Sequence, residues 1–159
     1  MNINGPSANE VKKYLALWKS NDEYVRSDES LEKLFTETYP RNIDIDDVLI
    51  KVCSLNTIYS TRISSPFAVA KHIVDLDIDQ RLANKDMELV NDIAEVQVNG
   101  GETRKLYSFA TKYCSHHFPE VYSMYDRYVE TMLWHFKQVD NFHEFKKVDL
   151  KKDYQKYHT

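Results

Sequence analysis

A chain of 159 residues that holds only three glycines and four prolines has few places to turn sharply. Glycine supplies the positive-φ positions of tight turns, proline pre-sets turn entry, and a β-sandwich or barrel needs such signals about every 8–12 residues. The scarcity points to long local elements instead, and the apolar residues recur at helical spacing. Ser7-Ala8-Asn9-Glu10 fits a capping box, with Val11, Tyr14, Leu15, Leu17 and Trp18 carrying a helix to about Ser20. A second helix is predicted from Asp28 to Thr38, with Leu31, Leu34 and Phe35 on one face, before Pro40 breaks the chain. From Asp44 the run Val48, Leu49, Val52, Leu55, Ile58, Tyr59 makes a third helix, with Asp46 and Asp47 at its positive dipole end.

Ser65-Pro66 starts another helix, through Phe67, Val69, Ala70, Ile73 and Val74 to about Asp75. Helices are further predicted over Asp86 to Val96, through Leu106 to Cys114, and from Tyr125 to about Val139 with Val129, Met132, Leu133 and Phe136 inward. Asn99-Gly100-Gly101 is the strongest turn, Phe118-Pro119 interrupts the helix before it, and Leu150, Tyr154 and Tyr157 space a short last helix. The length suits one domain over residues 1–159, read as an all-α compact bundle of roughly seven to nine helices.

Several function classes lack the residues they need. No run of about 18 apolar residues exists, so no membrane span is expected, and Met1 to Glu10 has no basic start before an apolar run, so no secretory leader is expected. Cys53 and Cys114 form no CxxC pair and read as two buried thiols in a reducing cytoplasm. Asp75, Asp77, Asp79 and Asp86 carry part of a calcium-loop pattern, but Gln80 stands where that loop needs glycine, so the segment reads as a solvated connection. His116, His117 and Glu120 lie together, yet Pro119 breaks the helix that a zinc motif requires, so no metal and no cofactor is expected. No GxSxG and no phosphate-cradling glycine loop occurs.

The net charge of −4 is unevenly spread: acids exceed bases by six over residues 1–99, and bases exceed acids by two over 100–159. A basic face on an acidic body can still approach phosphates. The informative segment runs from Asn99 to Asp126. Lys112 sits between Phe109, Ala110 and Tyr113 on a helix, where burial would lower the pKa of its amine and turn it toward nucleophile. Asp126 stands at the next helix start. An amine and a carboxylate facing one pocket suit glycosyl transfer; the alternative is a snorkelling surface lysine and a helix cap.

Ser108-Phe109-Ala110-Thr111-Lys112, then Phe118-Pro119, then Ser123-Met124-Tyr125-Asp126 resembles the 8-oxoguanine DNA glycosylase-like branch of the helix-hairpin-helix glycosylase superfamily, with a weaker echo around Asn56 to Arg62. Ser123-Met124 stands where that pattern has Pro-Ile, and no Leu-Pro-Gly-x-Gly hairpin is present. The resemblance implies a helix-hairpin-helix glycosylase-like fold, DNA as partner, Lys112 as nucleophile and Asp126 as stabiliser of positive charge at C1′ of a damaged purine nucleotide. Arg104 and Lys105, after the Gly-Gly turn, are competing candidates for the pocket, and Tyr107, Tyr113, Phe118 and Tyr122 are candidates to stack on an extruded base. A DNA glycosylase with abasic-site lyase activity is one reading. A non-catalytic helical module that binds nucleic acid or a protein partner is the other.

Overall fold

The structure is a computed structural model that describes residues 5–98, 101–151 and 153–158. It is mostly helical: α1 (Ala8–Lys19), α2 (Asp22–Lys33), α3 (Ile45–Tyr59), α4 (Pro66–Asp75), α5 (Ile78–Ala83), α6 (Glu88–Ala94), α7 (Tyr107–His117), α8 (Arg127–Asp140) and α9 (Tyr154–His158). Between α6 and α7 lies a two-stranded antiparallel sheet, β1 (Glu95–Gln97) and β2 (Thr103–Lys105), in the register Glu95↔Lys105, Val96↔Arg104 and Gln97↔Thr103. The expectation of helix alone is corrected here. A helix drawn to Val96 ends at Ala94 because the following turn lets Val98 N–H reach Glu102 O at 2.9 Å and close a hairpin. Asn99 and Gly100 of the predicted turn lie outside the described residues, while Gly101 has φ of 79°, a conformation that favours glycine.

Other boundaries moved for legible reasons. The second helix begins at Asp22, not Asp28, because the Asn21 side chain caps it by accepting from Tyr24 N. It then widens into a π-helical turn over Leu34–Thr38, with Tyr39 N–H bonded to Leu34 O at 2.9 Å, and this keeps Phe35 in the core. Ser7, Asp44 and Asp126 cap α1, α3 and α8 through their side-chain oxygens. The segment read as a solvated aspartate loop is α5, with Ile78 and Leu82 in the core.

The core joins Leu31, Phe35, Val48, Val52, Leu55, Ile73, Leu89, Ile93 and Phe109, with α3 packed on α4 and α6 on α7. α1 contributes no buried residue; its apolar positions Val11, Tyr14, Leu15 and Leu17 are all exposed. On α8 the buried side chain is Glu130, and the apolar positions predicted to face inward are half-buried. Cys114 is buried but Cys53 is exposed, which corrects the expectation of two buried thiols. No described helix is long and apolar enough to cross a membrane.

Candidate functional site

α7 is the central helix. Its apolar residues Tyr107, Phe109, Ala110, Tyr113 and Cys114 are buried, and so are the polar residues Thr111, Lys112, Ser115 and His116. A helix enclosed on nearly all sides needs partners for its polar groups, and α7 finds them for most, the buried Tyr107 hydroxyl being an exception. Two polar centres result, one on the side of Ser108 and Lys112 and one on the side of Tyr113 and His117.

The first centre is built on Lys112. Its side chain is not at the surface, as the snorkelling alternative required, but 4% exposed. Nζ donates to Ser108 Oγ at 2.9 Å and to the Tyr125 carbonyl at 2.8 Å, and it lies 5.3 Å from the centroid of the Tyr59 ring. Ser108 and Lys112 meet because residues four apart share a helix face. The loop from Phe118 to Asp126 is stitched to α7 by three further contacts. Ser108 Oγ donates to Tyr125 O, Tyr125 N–H donates to Thr111 Oγ1, and Tyr122 packs in the core. Asp126 then caps α8, its Oδ1 accepting from Tyr128 N at 2.7 Å and Val129 N at 2.9 Å. Burial lowers the Lys112 pKa, and the Asp126 carboxylate partly offsets that. Tyr59 Oη and His116 Nε2 are 3.0 Å apart. Burial, with a contribution from Asp28, pushes the Tyr59 phenol up to about 12, and burial lowers His116.

The second centre is built on Asn42, which is 1% exposed. Its Oδ1 accepts from Lys51 Nζ at 2.6 Å and Tyr113 Oη at 2.6 Å. Its Nδ2 donates to Asp79 Oδ1 at 2.7 Å, and its backbone N–H donates to the same carboxylate at 3.1 Å. His117 Nε2 lies 3.2 Å from both Nδ2 and Oδ1 of Asn42, and because Oδ1 already serves two donors we assign the tautomer in which Nε2 accepts from Nδ2. Lys51 spends its remaining hydrogens on the carbonyls of Tyr39 and Arg41, at 3.0 and 2.9 Å. Burial brings the Lys51 pKa down to about 8 against the pull of Asp79 and Asp47. Burial, with Lys51 and His116 adding to it, brings His117 down to about 3, so its ring is neutral at physiological pH. This centre opens on a cleft of about 420 Å³ lined by Arg41, Asp79, His117, Phe35, Pro40 and Phe118 among others.

The sequence-derived candidates fall in different places. Lys112 Nζ bonds to the carbonyl of Tyr125, the residue before Asp126, while the Asp126 carboxylate caps α8. Tyr113 and Tyr122 are fully buried with hydroxyls bonded to Asn42 Oδ1 and Asp86 O, and Tyr107 is 6% exposed, so none offers an open ring face for a base. Phe118, at 40% exposure, does. Arg104 and Lys105 are exposed on β2: Arg104 donates to Ser64 Oγ at 3.0 Å, and Lys105 Nζ sits 5.9 Å from the Tyr107 ring centroid. Among the described residues no group of three His, Cys, Asp or Glu side chains is arranged to hold a metal. Asn42, Lys51 and Asp79 were not anticipated, although one signal existed. Lys51 falls between Val48, Val52 and Leu55 on the inward stripe of α3, where a lysine needs buried partners.

Comparison with known proteins adds three findings. The model of the HI_0787 N-terminal domain family matches residues 10–121. An uncharacterized protein of Haemophilus influenzae is 44% identical over 136 residues, which is 85% of this chain and 62% of that protein. No solved structure matches.

Proposed function

The chain belongs to the HI_0787 N-terminal domain family, and for this member we propose a DNA glycosylase/lyase-like activity on damaged purines with Lys112 as its amine. The observation that carries the reading is the buried Lys112, whose Nζ donates at 2.8 Å to the carbonyl of Tyr125, the residue before Asp126. Lowering the pKa raises the neutral fraction of the amine, the form that attacks carbon. In the reaction the neutral Nζ bonds to C1′, the glycosidic electron pair leaves with the base, and the base takes the proton that the new ammonium sheds. Asp126 stabilises the positive charge that develops on the sugar. The C1′–O4′ bond then breaks, O4′ takes its electron pair and the second amine proton, and a Schiff base remains on Lys112. For the attack, Nζ must leave Ser108 Oγ and the Tyr125 carbonyl and move out from beneath Tyr59.

The test is borohydride trapping on duplexes that carry 8-oxoguanine or an abasic site. Hydride reduces the imine to a stable amine, and the protein–DNA crosslink is read on a gel. The expected result is a crosslink that disappears in Lys112→Gln. A crosslink that survives Lys112→Gln and is lost in Lys105→Gln would assign the amine to β2.

One observation favours a second reading. The Lys112 ammonium is enclosed and bonded to two oxygens within 2.9 Å, the arrangement of a brace that fixes the 118–126 loop. On that reading the domain is a non-catalytic helical module that binds nucleic acid or a protein partner. Absence of trapping with DNA affinity that falls steeply with salt supports the nucleic-acid form. Absence of both supports the protein-binding form.

A further inference from the structure

The cleft in front of Asn42 has a composition that the lysine chemistry does not use. Its lining includes neither Lys112 nor Asp126. At about 420 Å³ it falls within the roughly 300–1,000 Å³ typical of small-ligand sites. Phe118 stands at its edge with 40% of its surface exposed, and Pro40 and the edge of Phe35 give further apolar wall.

The polar rim carries one acceptor and one donor side by side. The acceptor is Asp79, whose carboxylate is fixed by three contacts from Asn42: N–H to Oδ1 at 3.1 Å, N–H to Oδ2 at 3.2 Å, and Nδ2 to Oδ1 at 2.7 Å. An ionised carboxylate has about four lone-pair sites, so Oδ2 keeps capacity for an incoming N–H. Asn42 is itself held by Lys51 and Tyr113, so the acceptor is anchored in the core rather than swinging on the surface. The donor is Arg41. Its Nε stands 3.8 Å from Asp79 Oδ2, too long for a good hydrogen bond, and its side chain is 71% exposed. A guanidinium has five N–H donors in a planar fork, and the cleft lies within its reach. His117 closes the back wall as a neutral ring turned toward Asn42.

We propose that this cleft binds a purine ring that presents a guanine-type edge, stacked on Phe118 and read by Asp79 and Arg41. Guanine offers two adjacent N–H donors, N1–H and N2–H, next to the O6 acceptor. Asp79 Oδ2, which already accepts from Asn42 N–H, takes one of these donors, and Arg41 donates to O6. Adenine presents a bare N1 acceptor toward the carboxylate and an amino group toward the guanidinium, so both contacts become repulsive. A site built to pair a donor edge rejects the analogue that lacks it far more strongly than a hydrophobic pocket rejects a change of size. The proposal stands on the cleft alone and does not depend on Lys112 attacking anything.

The test is titration of the full chain with guanosine monophosphate, adenosine monophosphate and ribose 5-phosphate, followed by calorimetry and by backbone amide shifts. The expected result is saturable binding of guanosine monophosphate, with adenosine monophosphate at least tenfold weaker and ribose 5-phosphate inert. Asp79→Asn should weaken binding at least tenfold. Phe118→Ala should weaken it several-fold without disturbing the fold, because the ring is half-exposed and this variant does not touch the Asn42 network. Equal binding of the two nucleotides would overturn the proposal. So would binding of ribose 5-phosphate with the same affinity, which would mean that Arg41 takes phosphate only. Absence of saturable binding, or binding unchanged in Phe118→Ala, would overturn it as well. The assay contains no DNA and no reductant, so its failure and the failure of the trapping experiment are separate results.

Discussion

Lys51 reaches Asn42 through a 2.6 Å hydrogen bond from Nζ to Oδ1, and neither residue is more than 1% exposed. That bond joins α3 to the loop before it, since the same ammonium holds the carbonyls of Tyr39 and Arg41. Replacing Lys51 by Met keeps the volume and removes the donor. The carbonyls of Tyr39 and Arg41 then lose this partner, and of the two donors, Lys51 and Tyr113, Asn42 Oδ1 keeps Tyr113. The expected cost at neutral pH is about 2–4 kcal/mol, read from urea unfolding.

The same lysine makes stability depend on pH in alkaline solution. Its pKa is about 8 in the folded chain against an ordinary 10.5, so between those values the unfolded chain binds more protons. Stability therefore rises as pH climbs from about 8 toward 10. Lys112, also lowered by burial, acts in the same direction. Above about 10 the buried tyrosines, whose pKa values are raised, reverse the trend, because the unfolded phenols then lose protons that the folded ones keep. Urea midpoints from pH 7 to 10 should climb in the wild type and climb less in Lys51→Met.

His117 controls the acid side. Burial holds its pKa at about 3, so the unfolded chain takes up a proton below about 6.5 that the folded chain refuses. Stability from this group is complete above about 6.5 and is lost as pH falls toward 3, at up to about 1.4 kcal/mol per pH unit. His117→Gln removes the titration. Its urea midpoint should fall less steeply than that of the wild type between pH 6.5 and 4, whatever its value at pH 7.

These buried centres explain how much of the molecule was legible in the sequence. Spacing of Val48, Val52 and Leu55 placed α3, and Ser7, Asp44 and Pro66 marked helix starts, because caps and periodicity are local signals. The β1–β2 pairing was missed because strands of three residues are too short to show alternation, and the helical pattern of α6 ran straight into them. The bond from Lys112 to the Tyr125 carbonyl spans 13 residues of broken chain, and such a contact leaves no periodic trace in the sequence. Asn42, Asp79 and His117 come from three segments far apart in sequence, and nothing local distinguishes Asp79 from a solvated aspartate.

Lys112 also makes a stability prediction that holds on either functional reading. Its bond to Tyr125 O and the bond from Tyr125 N–H to Thr111 Oγ1 tie the 118–126 loop to α7. Thr111→Val preserves shape and deletes one tie, at an expected cost of about 1–3 kcal/mol for the orphaned buried N–H. Lys112→Met deletes the other. Both variants should expose the 118–126 loop to limited proteolysis under conditions where the wild type resists it. Resistance equal to the wild type in both would show that core burial of Tyr122 and Tyr125 holds the loop unaided.

The two ends of the described chain should respond oppositely to removal. α1 places no residue in the core, and its apolar side chains Val11, Tyr14, Leu15 and Leu17 stay more than half exposed. Apolar burial drives most helical stability in folded proteins, so α1 adds little to the global free energy. Deleting the chain before Asn21 should shift Tm by less than about 5 °C. At the other end α9 is only five residues long, yet Tyr154 is fully buried and its hydroxyl donates to Ser123 O at 3.1 Å. Tyr154→Ala leaves a ring-sized cavity and an unpaired carbonyl, which costs about 3–5 kcal/mol. Thermal unfolding of the two variants side by side checks both expectations. A large loss on removing α1 would mean that its exposed apolar face is covered in solution.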